Sequence, residues 1–116
     1  MATFTKNLLS QSASGESILI ELSASPGRLL HTAVPTATGA DEIWLYASNS
    51  SESDCILTLN WGTSGTRDTL ARIVIQAYAG PILIIPGLVL NSSASIYAYA
   101  STLSAVNMVG YVNRIS

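Results

Sequence analysis

This chain is short of charge. Seven acidic and five basic residues among 116 leave 10% of the sequence charged and a net charge of −2, against about 25% charged in a typical soluble domain. So few basic residues cannot form the positive stripe that a nucleic-acid backbone needs, which excludes nucleic acid as a partner. One cysteine excludes an internal disulfide and every multi-cysteine metal site, and one histidine excludes the common two- and three-histidine sites. No metal or other cofactor is therefore expected. Helix signals are missing too. No stretch joins a 3.6-residue apolar period to a cap and a stop, and Ser64–Arg72 suggests one turn at most. The N-terminus lacks a basic region leading into an apolar core, and Ala2 stands where myristoylation needs glycine. A membrane helix needs about 20 apolar residues. The longest apolar run, Ala79–Leu90, is broken by Gly80-Pro81 and Pro86-Gly87 and reads as two buried strands around a turn, so no membrane partner is expected.

What is present is strand signal. Hydrophobic residues make up 48% of the chain, too many for disorder, and the length suits one domain. Period-2 alternation recurs throughout. Ile18, Ile20 and Leu22 share a face, and Leu29–Val34 is a second candidate strand. Ile43, Leu45 and Ala47 oppose Trp44 and Tyr46. Cys55, Leu57, Leu59 and Trp61 form an inward face, and Ile73 and Ile75 turn inward while Arg72 and Gln76 meet solvent. Further strands are expected in Ile82–Ile85, Leu88–Leu90, Ser95–Ala100 and Val106–Val112. Ser25-Pro26-Gly27-Arg28 and Ile85-Pro86-Gly87-Leu88 fit type II turns, with proline presetting φ and glycine supplying the positive φ that follows. Asn49-Ser50-Ser51 and Asn91-Ser92-Ser93 match the glycosylation pattern but read as serine-rich turns. These elements predict an all-β, single-domain β-sandwich, jelly-roll or immunoglobulin-like, of about eight short strands. Residues 17–116 form the sandwich. Residues 1–16 read either as an N-terminal arm anchored by Phe4, Leu8 and Leu9 or as a plain first strand.

The charge map points to function. No charged residue lies between Arg72 and Arg114. The outward positions of the last strands must then be Ser, Thr, Ala, Asn and Tyr, with Tyr97 and Tyr99 on one face and Ile96, Ala98 and Ala100 on the other. Aromatic residues are enriched, and lysine and glutamate depleted, where subunits meet. Trp44, Tyr46, Tyr97 and Tyr99, with Phe4, Leu8 and Leu9, are the candidate interface residues. No edge strand shows the lysine that discourages edge pairing.

Catalysis finds little support, and no enzyme is expected. A serine nucleophile needs a base and an orienting acid. His31 is the one base, no G-x-S-x-G elbow exists, and His31 reads as a strand residue satisfied by a backbone group, although Asp41, Asp54 or Asp68 are available to approach it. Cys55 lies beside Glu52 and Asp54, whose charge works against thiolate formation, and reads as a small core hydrophobe. The pairs Glu52/Asp54 and Asp41/Glu42 lack any calcium-loop pattern. Gly62-Thr63-Ser64-Gly65-Thr66-Arg67 lacks the spacing and lysine of a phosphate loop, and Arg67 beside Asp68 reads as a surface pair. Trp44, Tyr46 and Trp61 offer a sugar-stacking platform as the alternative binding function.

The strand Asp41-Glu42-Ile43-Trp44-Leu45-Tyr46, the segment Leu57-Thr58-Leu59-Asn60-Trp61-Gly62, the turn Ile84-Ile85-Pro86-Gly87-Leu88 and the ending Val109-Gly110-Tyr111-Val112-Asn113-Arg114-Ile115 together resemble small β-rich virion structural proteins of tailed bacteriophages. The likeness covers most of the chain after Asp41 and is closest to capsid decoration (cement) proteins. It implies a protein made in the host bacterial cytoplasm and carried on the capsid surface of the virion. Its implied partners are the phage major capsid protein and itself, as a homotrimer, and its implied role is to reinforce the head. Neck, tail or head-fibre placement is the alternative within the same class. The resemblance carries over no catalytic residue.

Overall fold

A computed structural model of the chain describes residues 3–21, 23, 27–62, 69–102 and 104–115. The described residues form nine strands: β1 (Phe4–Leu8), β2 (Ile18–Leu19), β3 (Arg28–Thr32), β4 (Ala40–Asn49), β5 (Cys55–Gly62), β6 (Thr69–Ile75), β7 (Ile82–Leu90), β8 (Ser95–Ala100) and β9 (Val106–Ile115). All pairings are antiparallel. One sheet has the order β1-β9-β4-β7, with β2 also on β9, and the second has the order β3-β8-β5-β6.

That order decides between the two expected sandwiches. β1 and β2 pair with β9, β3 with β8, β4 with β7, and β5 with β6. The chain is thus one long antiparallel ribbon hinged at the β5–β6 connection. It is rolled up so that β9 also bonds β4 and β8 also bonds β5. This is a jelly roll. An immunoglobulin-type sandwich bonds several pairs of consecutive strands; here β5 and β6 are the one such pair among the described residues. β1 and β2 are two pieces of a single edge strand. Leu8 lies opposite Tyr111 and Ile18 opposite Met108, so residues 9–17 are an excursion inserted in that edge.

The core follows from alternation. In β4 every second side chain (Asp41, Ile43, Leu45, Ala47 and Asn49) points between the sheets. Leu57 and Leu59 of β5, Ile75 of β6, Ile96, Ala98 and Ala100 of β8, and Met108 and Val112 of β9 meet them there. Burying each large aliphatic side chain contributes about 1.5–3 kcal/mol. Cys55 is buried among them and Trp61 packs against the cluster, both on the inward face expected of β5.

Several sequence expectations need correction or placement. The Ala79–Leu90 run is not two buried strands around a turn. Residues 82–90 form one continuous edge strand, β7, whose side chains are mostly exposed. Pro86 and Gly87 do not turn the chain. Trp44 lies opposite Pro86 and Ile43 opposite Leu88, so Gly87 is the extra residue of a bulge, at φ +85°. Proline is tolerated there because an edge strand has no second neighbour to receive its missing N–H. Residues 4–8 are not a free arm here; they pair along β9 from Phe4↔Ile115 to Leu8↔Tyr111. Asn49 is the last residue of β4, not a turn residue. The edges are guarded after all. The lone lysine, Lys6, sits in β1; Arg28 sits in β3 and Arg72 in β6, each beside a register shift; and the charge-free β7 carries Pro86 and two register shifts. Each device discourages strand addition. Residues 69–72 of the one-turn helix candidate belong to β6. Leu22, Ser25, Pro26, the 63–68 loop and with it the Arg67–Asp68 pair lie outside the described residues. Among the described residues no helix is long and apolar enough to cross a membrane.

Candidate functional site

The register assembles an outward face on the β1-β9-β4-β7 sheet. One row across it reads Leu8, Tyr111, Trp44, Pro86. The next reads Lys6, Asn113, Glu42, Val89. Beyond that come Phe4, Ile115 and Ala40, and on the other side Val109, Tyr46 and Leu83. Phe4 is 71% exposed, Val89 56% and Leu8 48%. The Trp44 and Tyr111 rings stack at 6.2 Å with planes 11° apart, and Lys6 Nζ sits 4.7 Å from the Tyr111 ring centre. Trp44 Nε1 donates to Glu42 Oε1 at 2.7 Å and Asn113 Nδ2 donates to the same oxygen at 3.1 Å. The indole bond first, then the amide bond, holds the Glu42 carboxyl below the usual carboxylate range. Gly87 is required at the rim of this face. A Cβ there would lie 3.0 Å from Trp44 Cζ2, at a φ that L-residues rarely adopt.

The second sheet presents a different face on the opposite side. Tyr97 and Tyr99 of β8 point outward, with Tyr97 opposite Asn60 and Tyr99 opposite Thr58, as the alternation predicts. Tyr99, Arg72, Thr58, Ile56, Ser23 and Ser101 line a shallow pocket of about 120 Å³.

The structure therefore divides the seven candidate interface residues. Phe4, Leu8, Trp44 and Tyr46 gather on one face, Tyr97 and Tyr99 lie on the other, and Leu9 is in the core at 2% exposure. The Trp44–Tyr46–Trp61 platform is not assembled, because Trp61 packs inward from the second sheet. The sequence reading missed Tyr111, whose outward placement follows from its parity with Val112.

Between the sheets lies a buried polar cluster. Asp41 is fully enclosed. Arg114, its register partner, donates from Nε to Oδ1 at 2.7 Å and from a terminal nitrogen to Oδ2 at 3.0 Å. His31 Nε2 lies 2.7 Å from Asp41 Oδ2, and His31 Nδ1 accepts the Ser10 backbone N–H at 2.9 Å. With Nδ1 accepting, the imidazole proton is on Nε2 and is donated to Asp41. The backbone partner expected for His31 is thus Ser10, and Asp41, one of the candidate acids, reaches it, while Asp68 lies outside the described residues. Both ring nitrogens are engaged and the ring is buried, so His31 has no lone pair to offer a substrate. Ser10 Oγ accepts the Thr32 N–H at 2.8 Å, which straps the 9–17 excursion to β3. Burial by itself raises the Asp41 pKa; the hydrogen bonds from Arg114 and His31, and then the charge of Arg114, reverse that and hold it below the ordinary range.

The other candidate acids are separated. Glu42 points outward while its neighbour Asp41 points inward, Glu52 is exposed, and Asp54 Oδ1 accepts the Ala77 N–H at 3.0 Å. Among the described residues no three metal-ligating side chains converge.

Asn49 is a second tie between the sheets that sequence reading passed over. Its Nδ2 donates to Ile75 O at 2.9 Å and Ser53 O at 2.8 Å, while its Oδ1 accepts from Ser51 N and Oγ. Parity with Ala47 is the signal that places it inward. Asn49→Ala strands two carbonyls and is expected to cost about 2–4 kcal/mol, read as a lower urea midpoint with unchanged slope. Compared with protein-family models, with curated proteins and with solved structures, the chain matches none.

Proposed function

We propose that this protein is a structural component of a tailed-phage virion, a decoration protein that stabilises the head by joining surfaces. The observation that carries the reading is that the jelly roll has aromatic surface on both of its outer sides, Trp44, Tyr46 and Tyr111 on one and Tyr97 and Tyr99 on the other. A sandwich with contact surface on two opposite sides can hold one neighbour against another. The charge on the first face is Lys6 and Glu42, each engaged with the aromatic rings, and Arg72 lies beside Tyr99 on the second, so few charges keep copies apart. Viral shell proteins use the jelly roll widely, although fold alone does not establish function. The likeness of the 41–46, 57–62, 84–88 and 109–115 segments to phage virion proteins supports that location. In this reading the partners are the major capsid protein and further copies of the chain.

The test is the composition of the particle. Mass spectrometry of purified virions of the encoding phage should find the chain at a fixed copy number relative to the major capsid protein, and should still find it in tail-free heads. Its presence only in tails would move it to the neck or tail class. Its absence from particles would refute the proposal.

A further inference from the structure

The outward face of the β1-β9-β4-β7 sheet matches itself, and we propose that a second copy of this chain covers it, related by a two-fold axis that runs along β9. The argument rests on the residues flanking β9. Lys6 of β1 and Glu42 of β4 are both register partners of Asn113, one on each side. Leu8 and Trp44 flank Tyr111 in the same way, and Phe4 and Ala40 flank Ile115. A two-fold axis lying in the interface along β9 exchanges the β1 and β4 columns between copies. Lys6 then faces the second copy's Glu42, Leu8 faces its Trp44, and the prominent Phe4 faces its Ala40. Each contact occurs twice, as an isologous interface demands. Positive meets negative, aliphatic meets aromatic, and large meets small. A foreign partner would impose no such relation between two columns of one sheet.

The axis lays β1, β9 and β4 over the second copy's β4, β9 and β1, and β7 extends past the partner's edge. Three strands about 4.8 Å apart, with about nine residues at 3.3 Å each, project about 430 Å². The corrugated accessible area is larger, which places the pairing at the small end of specific interfaces. An uncovered apolar face of that extent is unusual on a monomer. The guarded edges close off the competing route, since Lys6, Arg28, Arg72 and the Pro86 bulge each oppose strand addition. Contact between copies is left to the face. The pairing is two-fold rather than the threefold that the virion likeness implies, and it leaves Tyr97 and Tyr99 outward for another neighbour.

The experiment is light scattering of the full chain on a sizing column at two concentrations. The native protein should run as a dimer. K6E and E42K each place like charges face to face and should raise the dissociation constant at least about tenfold. The double variant K6E/E42K should return to a dimer, and K6E mixed with E42K should form a heterodimer, which also shows that both single variants are folded. A monomeric or trimeric native protein, or a dimer whose dissociation is the same in K6E, would overturn the proposal. The readout is made without virions, so loss of the head-binding reading and loss of this one are distinguishable.

Discussion

Asp41→Ala is expected to remove about 3–5 kcal/mol of stability, a large share of the roughly 5–15 kcal/mol that a domain has in total. Four donors converge on that carboxylate: Arg114 Nε and a terminal guanidinium nitrogen, His31 Nε2, and the Val34 N–H at 3.3 Å. Alanine leaves all four without an acceptor, two of them on a cation whose tip is partly exposed and one on a buried imidazole. Asp41→Asn keeps the shape but replaces one acceptor oxygen with an amide nitrogen that faces donors, so it should recover little. Urea unfolding at neutral pH reads both variants. The same site sets the acid limit of the fold. Because the folded-state pKa of Asp41 is depressed, the unfolded chain binds the proton first. Stability from this group is complete above the ordinary carboxylate range, at about pH 4, and drains away as pH falls through the lower folded-state value. In Asp41→Ala that part of the acid sensitivity should vanish while the neutral-pH loss remains. Unchanged stability in both variants would show that the cluster is incidental.

Gly110→Ala is the second large effect, about 3 kcal/mol or more. Gly110 lies in β9, opposite Leu45, and β9 is bonded on both sides. A Cβ built there falls onto the Trp44 carbonyl oxygen, far inside van der Waals contact, and lies 3.1 Å from Leu45 Cα. Those atoms are backbone of β4, which β7 holds from its other side, so the strand cannot move aside without opening a ladder. Gly62→Ala is the control. Gly62 has φ +94° but nothing within 4 Å of an added Cβ, so it should cost only the conformational penalty of about 1–2 kcal/mol. Thermal unfolding of the two variants side by side should show a much larger drop for Gly110→Ala. Equal drops would mean that the close approach of β4 and β9 relaxes freely.

Much of this was readable before any coordinates. Alternation in 43–47 and 95–100 assigns the inward and outward faces correctly because a strand buried on one side has period 2 and admits one register; in 55–61 it finds the inward face, but Thr58 and Asn60 on the other side are buried too. What alternation cannot report is which strand lies at an edge. Ile82–Leu90 looks like core because it is apolar, and Pro86-Gly87 looks like a turn because a bulge and a type II turn make the same φ demands. The sheet order, which puts β7 outermost, is a property of pairings far apart in sequence. The two outward faces were half legible for the same reason. Trp44 and Tyr46 share a face by parity, and so do Tyr97 and Tyr99. That the pairs lie on opposite sides of the sandwich depends on the jelly-roll winding. The Asp41 cluster joins residues from positions 10, 31, 41 and 114, and only the parity of Asp41 with Ile43 hints that it turns inward. Leu9, expected as an anchor of the arm and an interface residue, lies in the core because the chain leaves β1 there and drives the side chain inward.

In the proposed function this jelly roll works by contact through its outer faces, on a phage head. The most direct measurement is co-sedimentation of the purified protein with mature phage heads that lack it. Saturable binding at a fixed number of copies per capsomer, weakened by Tyr97→Ala and Tyr99→Ala without loss of folding, is the result the account predicts. Heads that bind no protein, or that bind both tyrosine variants as well as the native chain, would contradict it.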